Sequence, residues 1–229
     1  EMTSSLVGSE MCIRDRMKDA LILCAITLIL GAILAGVYTV TKKPIEDAQA
    51  KTNNEACQKV VETGATVGDD DAALVKEVNA YFAEHDLSNQ KTSEGDLLSV
   101  YVEVTQVHKV TDKDKKENGR VYLANAKKGY GGNISFALGV NGEGKVTGIS
   151  ITSESETAGL GANCENADWQ KSFAGKVLPS DPAQNMYNKN EETDSQVQAL
   201  SGATVTSRAI TNAVKGILFA STSSEGGAK

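Results

Sequence analysis

The chain has 229 residues, 40% hydrophobic and 23% charged, a balance that suits one or two folded domains and excludes a disordered or fibrous chain. Its formal net charge of −7 argues against a nucleic-acid-binding protein, which needs clustered Lys and Arg to displace counterions. Residues 1–16 are set aside first. The stretch from Ser4 to Arg16 has no hydrophobic periodicity and resembles a translated sequencing adapter, so the native chain is expected to start at Met17.

Residues 17–43 read as a membrane anchor. The run 20–40, ALILCAITLILGAILAGVYTV, carries no charge. As a helix it would span about 32 Å, enough to cross a hydrocarbon core. It is longer than a signal-peptide core, and no small-x-small cleavage site follows it. Cys24 follows Leu23 rather than a small residue, which argues against a lipoprotein anchor. Lys42 and Lys43 follow the run and Lys18 precedes it, a margin that slightly favours a cytoplasmic C-terminal side.

Residues 44–96 read as a helical linker region. Pro44 suits a first helical turn, and Ile45, Ala48, Ala56, Val60 and Val61 give a partial face. A turn is expected at 64–68. Asp69-Asp70-Asp71 then caps a second helix to about Ala83, with Leu74, Val75 and Val78 inward. The acidic triplet lacks the spacing of a calcium loop.

Residues 97–220 read as one α+β domain with an antiparallel sheet. Residues 97–110 alternate as a strand, with Leu98, Val100, Val102 and Val104 on one face. A charged loop (111–119) leads to a second strand, 120–126. The glycine-rich turn Gly129-Tyr130-Gly131-Gly132 follows, then strands 134–140 and 145–152 joined by the hairpin turn Asn141-Gly142-Glu143-Gly144. A short helix carrying Trp169 is expected at 166–173, and a polar irregular segment at 179–194. A helix after Thr204 closes the domain, and 221–229 is a flexible Ser/Gly tail.

The cysteines and histidines define no metal site. Cys57 and Cys164 fit either a disulfide or two buried thiols. His85 and His108 stand far apart without ligand spacing, so a zinc or haem site is not expected.

Ser201-Gly202-Ala203-Thr204, continuing as Val205-Thr206-Ser207, is the most informative stretch. Ala209, Ile210, Ala213, Val214, Ile217 and Leu218 follow at helical spacing. The turn therefore delivers hydroxyls and backbone N–H groups to a helix N-terminus. That is a seat for a phosphate, or equally an ordinary Ser/Thr cap. Thr63-Gly64-Ala65-Thr66 repeats the pattern, but Val67-Gly68-Asp69 follows it, and three aspartates there would repel a phosphate.

Three segments in order resemble the FMN-binding domain of the Rnf and Nqr electron-transport complexes. They are Gly129-Tyr130-Gly131-Gly132, Glu156-Thr157-Ala158-Gly159-Leu160-Gly161 and Ser201-Gly202-Ala203-Thr204 with Thr206-Ser207. The size is similar to the G subunit of the Rnf complex. The resemblance implies an electron-relay subunit of an ion-translocating ferredoxin:NAD⁺ complex, not a catalyst by itself. It implies FMN joined to Thr204 by a phosphoester, attached in trans by a flavin transferase using FAD and Mg²⁺. A threonine hydroxyl is a poor nucleophile at neutral pH, and no histidine lies near it in sequence. Ser201, Gly202 and Ala203 would shape the attachment turn, and Glu156, Thr157, Leu160 and Gly161 would border the flavin.

The resemblance also implies a single-pass protein of a bacterial cell membrane with its C-terminal domain outside the cytoplasm, against the lysine margin. Its partners would be membrane lipid and the other subunits of the complex. Two positions depart from the family pattern: Ala158 stands for the usual proline and Gln198 for a frequent aspartate. Trp169 could stack on the flavin or belong to the core, and Arg208 could meet the phosphate or lie on the surface. The alternatives are a stand-alone extracytoplasmic flavin shuttle, or an anchored scaffold without flavin.

Overall fold

The computed structural model describes residues 3–85, 98–113, 116–181 and 184–225. The chain divides into two units, Glu1–Lys51 and Thr52–Lys229. The described part of the first unit is helical throughout, as part of α1 (Thr3–Lys59), which begins inside the segment set aside on sequence. Within α1, Met17–Lys59 is long and apolar enough to cross a membrane. The helix passes through Pro44 rather than restarting there. A proline inside a helix removes one i→i−4 bond, and here the helix continues past it.

The second unit is built on a five-stranded antiparallel meander: β1 (Thr66–Asp70), β2 (Val102–Thr111), β3 (Glu117–Ala126), β4 (Ile134–Asn141) and β5 (Val146–Ser153), paired in chain order. α2 (Ala72–Glu84) follows β1, α3 (Ala167–Lys171) follows β5, and α4 (Thr204–Glu225) closes the fold. β6 (Tyr187–Asn188) and β7 (Val197–Gln198) form a small parallel pair; β6 falls within the segment expected to be irregular and β7 just beyond it. α4 runs into the stretch expected to be tail.

β1 was not expected; the segment reads as a turn on sequence. It is short, polar and at the sheet edge, so it carries no alternation to detect. The aspartate triplet is divided by this arrangement. Asp71 caps α2, its Oδ1 accepting from the N–H groups of Ala73 (3.1 Å) and Leu74 (3.3 Å). Lys109 lies 3.1 Å from its other oxygen and, with the cap bonds, holds the Asp71 carboxyl below the usual carboxylate range. Asp70 instead accepts from the Val107 N–H at 3.0 Å, tying the edge strand to β2.

β2 starts later than its hydrophobic pattern suggests, because Leu98–Val100 forms a 3₁₀ turn. A bulge at Thr105 then shifts the pleat, so that Val102 and Val104 are followed on the core face by Val107.

Both sheet faces are covered. Tyr122, Ala124, Phe136 and Leu138 face the larger core with α2 and α4. Val121, Leu123 and Ala137 face a smaller cluster with Ala56, Cys57 and Val60. Gly139 and Gly148 are cross-strand partners, and the backbone of Val60 rests on both. The Thr147 hydroxyl donates to the Val60 carbonyl. Cys57 and Cys164 are free, buried and in different clusters, so the disulfide alternative does not hold.

α4 is buried on nearly every side from Thr206 to Ala220, more than one apolar stripe predicts. Lys215 is fully buried in it and donates to the Gln184 carbonyl. Burial pushes the Lys215 amine down to about 8, against the opposing pull of Asp181.

Candidate functional site

The meander and α4 bring three distant segments to one pocket of about 450 Å³. That lies within the range of about 300–1,000 Å³ typical of small-molecule sites. One wall is Tyr130, in the turn between β3 and β4. A second comes from the turn after β5, with Glu156, Thr157, Leu160 and Gly161. The third is the entry to α4, from Gly202 to Thr206.

The entry to α4 is fixed by short polar bonds. Gly202 has φ 72°, a left-handed step that a side chain would strain. The Ala203 N–H donates to the Leu200 carbonyl at 3.1 Å, closing the turn. Ser207 holds it from inside: its hydroxyl accepts from the Leu200 N–H (2.9 Å) and donates to the Ala203 carbonyl (3.0 Å). Thr204 is left exposed at the first position of the helix. The first-turn N–H groups have no carbonyl partner within the helix, and the helix dipole is positive there.

Glu156 joins all three walls. Its Oε1 accepts from the Gly131 N–H at 3.0 Å and its Oε2 from the Thr206 hydroxyl at 2.7 Å. Gly161 leaves room for this clasp: a Cβ there would lie 2.5 Å from Glu156 Oε2 and 2.7 Å from Thr206 Oγ1. The turn between them is closed by N–H groups of Leu160 and Ala162 donating to the Thr157 carbonyl at 3.1 and 3.2 Å. Cys164, behind this turn, is buried, and burial with the charges of Glu154, Glu165 and Glu156 pushes its thiol up to about 12. It stays protonated and serves as packing.

Of the residues expected from sequence, Glu156, Thr157, Leu160, Gly161, Gly202, Ala203 and Thr204 line the pocket. Ser201 does not. It lines a separate depression on the other side of the left-handed step at Gly202, beside Trp169 and Gln198. Trp169 belongs to that side as well. Its indole N–H donates to the Gln198 carbonyl at 2.9 Å and its ring meets Phe173 edge-on, with centroids 4.9 Å apart. Arg208 is exposed and lines neither recess. Thr63 to Thr66 forms a turn into β1, with no helix start behind it. Tyr130, Val205 and Thr206 line the pocket as well, and each lies inside or beside one of the three motif segments.

The residues fit FMN. A helix N-terminus with an exposed threonine suits the phosphate, and exposed Leu160 and Val205 offer apolar surface to a planar ring. Among the described residues, no group of three or more His, Cys, Asp or Glu is placed to hold a metal ion.

Residues 129–218 match the FMN-binding domain family. The chain is 31% identical over 201 residues to the G subunit of the Na⁺-translocating ferredoxin:NAD⁺ oxidoreductase complex of Acetobacterium woodii, covering 86% of this chain and 87% of that one. The chain belongs to this family of G subunits. The G subunit of the ion-translocating oxidoreductase complex of Pasteurella multocida is 28% identical over 200 residues, covering 86% and 88%. The crystal structure of NqrC from Shewanella oneidensis aligns with a TM-score of 0.43 at 24% identity, covering 51% of this chain and 56% of that one.

Proposed function

We propose that this chain is a membrane-anchored flavoprotein subunit of an ion-translocating ferredoxin:NAD⁺ oxidoreductase complex, relaying electrons through FMN joined to Thr204 by a phosphoester. The observation that carries the proposal is the meeting of three motif segments at one pocket, with the Thr204 side chain exposed at a helix start on its wall. Bound FMN supplies the redox chemistry. The protein holds the cofactor and sets its surroundings. Gly202 and Ala203 let the backbone approach a phosphate closely, and the start of α4 stabilises its charge. Leu160 and Val205 keep water from a ring face.

A separate enzyme makes the phosphoester. Threonine needs a base or a metal to become a nucleophile. Glu156, the carboxylate on the pocket wall, already accepts from Gly131 and Thr206. His108 lies on β2 with its Nδ1 2.9 Å from the Gly68 carbonyl, and His85 is stacked on Tyr81. A flavin transferase acting from FAD with Mg²⁺ supplies what the turn lacks. The domain stands on the extracytoplasmic side of a bacterial membrane, with the other subunits and lipid as its partners. Protease digestion of intact cells against opened cells tests that side.

The decisive test is tryptic mass spectrometry after co-production with a flavin transferase. FMN mass on peptide 190–208, lost in Thr204→Ala, supports the proposal. FMN on peptide 60–76 would move the attachment to Thr66. No FMN on either, with the transferase shown active on another target, would defeat it.

A further inference from the structure

The geometry points to Tyr130 as the residue that packs its ring against the isoalloxazine and sets the flavin's electronic environment, an inference that rests on the FMN reading above. Among the described residues, the large hydrophobic side chains left exposed outside α1 are Tyr130, Leu160 and Val205, at 74%, 43% and 39%. All three line the same pocket. Scattered exposed hydrophobics are ordinary; their collection around one recess marks a surface awaiting an apolar occupant.

Tyr130 differs from the other two in being aromatic. Its side chain is open to solvent, yet its backbone is pinned. The neighbouring Gly131 N–H donates to Glu156 Oε1 at 3.0 Å. A Cβ at Gly131 would overlap the Ser155 carbonyl, so the turn lies directly on the backbone leading to Glu156. The same carboxylate accepts from Thr206, two residues beyond Thr204. Glu156 therefore fixes the position of the Tyr130 backbone relative to the attachment turn. A pinned backbone presenting an exposed aromatic ring beside a cofactor seat is what a stacking platform requires.

The phenol ring is electron-rich, and an electron-rich ring in contact with a flavin quenches its fluorescence. Contact also favours one redox state of the flavin over the other, so it shifts the potential.

The experiment uses the full chain co-produced with a flavin transferase, as the parent and as Tyr130→Phe, Tyr130→Leu and Tyr130→Trp. FMN on peptide 190–208 is quantified by mass spectrometry, and flavin emission per bound FMN is then measured in the folded protein. Expected are equal FMN loading, severalfold brighter emission in Tyr130→Phe and Tyr130→Leu, and emission as low as the parent in Tyr130→Trp. The midpoint potential should move in Tyr130→Leu. Emission and potential unchanged in Tyr130→Phe and Tyr130→Leu, with FMN loaded, would overturn the proposal. Loss of FMN from the variants alone would assign Tyr130 to recognition by the transferase and also overturn it. Absence of FMN from the parent would instead defeat the flavin reading itself.

Discussion

Thr206 donates its hydroxyl hydrogen to Glu156 Oε2 at 2.7 Å, although 50 residues separate the two. With the Gly131 N–H on the other oxygen, this carboxylate is the point where the three pocket walls are joined. A hydrogen bond to a charged group contributes about 1.5–3 kcal/mol. Glu156→Ala should therefore lower stability by about that amount and reduce FMN loading. In a double-mutant cycle with Thr206→Val, melting of the detergent-solubilised chain should show a coupling of about 0.5–3 kcal/mol. Additive effects would mean that the bond is incidental.

Gly161 is the spacer of the same clasp. A Cβ there meets both Glu156 Oε2 and Thr206 Oγ1, which must separate to admit it. Gly161→Ala should cost about 1–3 kcal/mol, the usual range for overpacking. Its FMN loading should fall further than that of a surface substitution with the same loss of stability. Wild-type loading in a destabilised Gly161→Ala would show that the pocket tolerates an open clasp.

Ser207 fixes the turn before α4 from inside. Removing its hydroxyl leaves the Leu200 N–H without the acceptor seen at 2.9 Å. Ser207→Ala should cost about 1–3 kcal/mol, the penalty for an unsatisfied buried donor. The check is equilibrium denaturation alongside the initial rate of FMN incorporation by the transferase. Both should decline, because the hydroxyl holds the chain on both sides of Gly202.

Lys215 makes the protein's stability depend on pH. Its folded pKa is lowered to about 8 by burial, while an unfolded lysine titrates near about 10.4. Below pH 8 both states hold the proton, and the buried charge destabilises the fold in full. Between pH 8 and about 10.4 the folded state releases a proton that the unfolded state keeps, so this contribution to stability rises with pH. Lys215→Met should lack that rise. The stability of the variant relative to the parent should be greatest below pH 8 and shrink across the window. Chemical denaturation at a series of pH values reads the difference; parallel curves would refute it.

The second sheet face offers a control remote from the pocket. Gly139 and Gly148 face each other across β4 and β5, and the Val60 backbone rests on them. Gly139→Ala would force Val60 away, at about 1–3 kcal/mol. FMN loading of the folded fraction should stay at the parent level, and a fall would show that strain crosses the sheet.

Much of this was legible in the sequence because it is encoded locally. The uncharged run 20–40 specifies a long helix, since hydropathy and length suffice. The alternation in β2, and the Asn141 to Gly144 turn between β4 and β5, follow from the period of two and from turn chemistry. Thr204, Glu156 and Leu160 stand in short local patterns, and the fold brings them to one pocket. β1 escaped because an exposed five-residue edge strand has no apolar face. The parallel β6 and β7 pair escaped because two residues carry no period.

The apolar N-terminal run, most of the strands, the α4 stripe and the turn before α4 are legible in the sequence, because all are properties of neighbours along the chain. That Ser201 and Trp169 lie on a different recess from Thr204, and that Tyr130 stands at the pocket while Arg208 does not, follows from the tertiary structure. It alone decided that Glu156 joins Gly131 to Thr206 and that Lys215 is buried. These are relations between residues tens of positions apart. They arise from how the meander and α4 close around the larger core, and no local period records them.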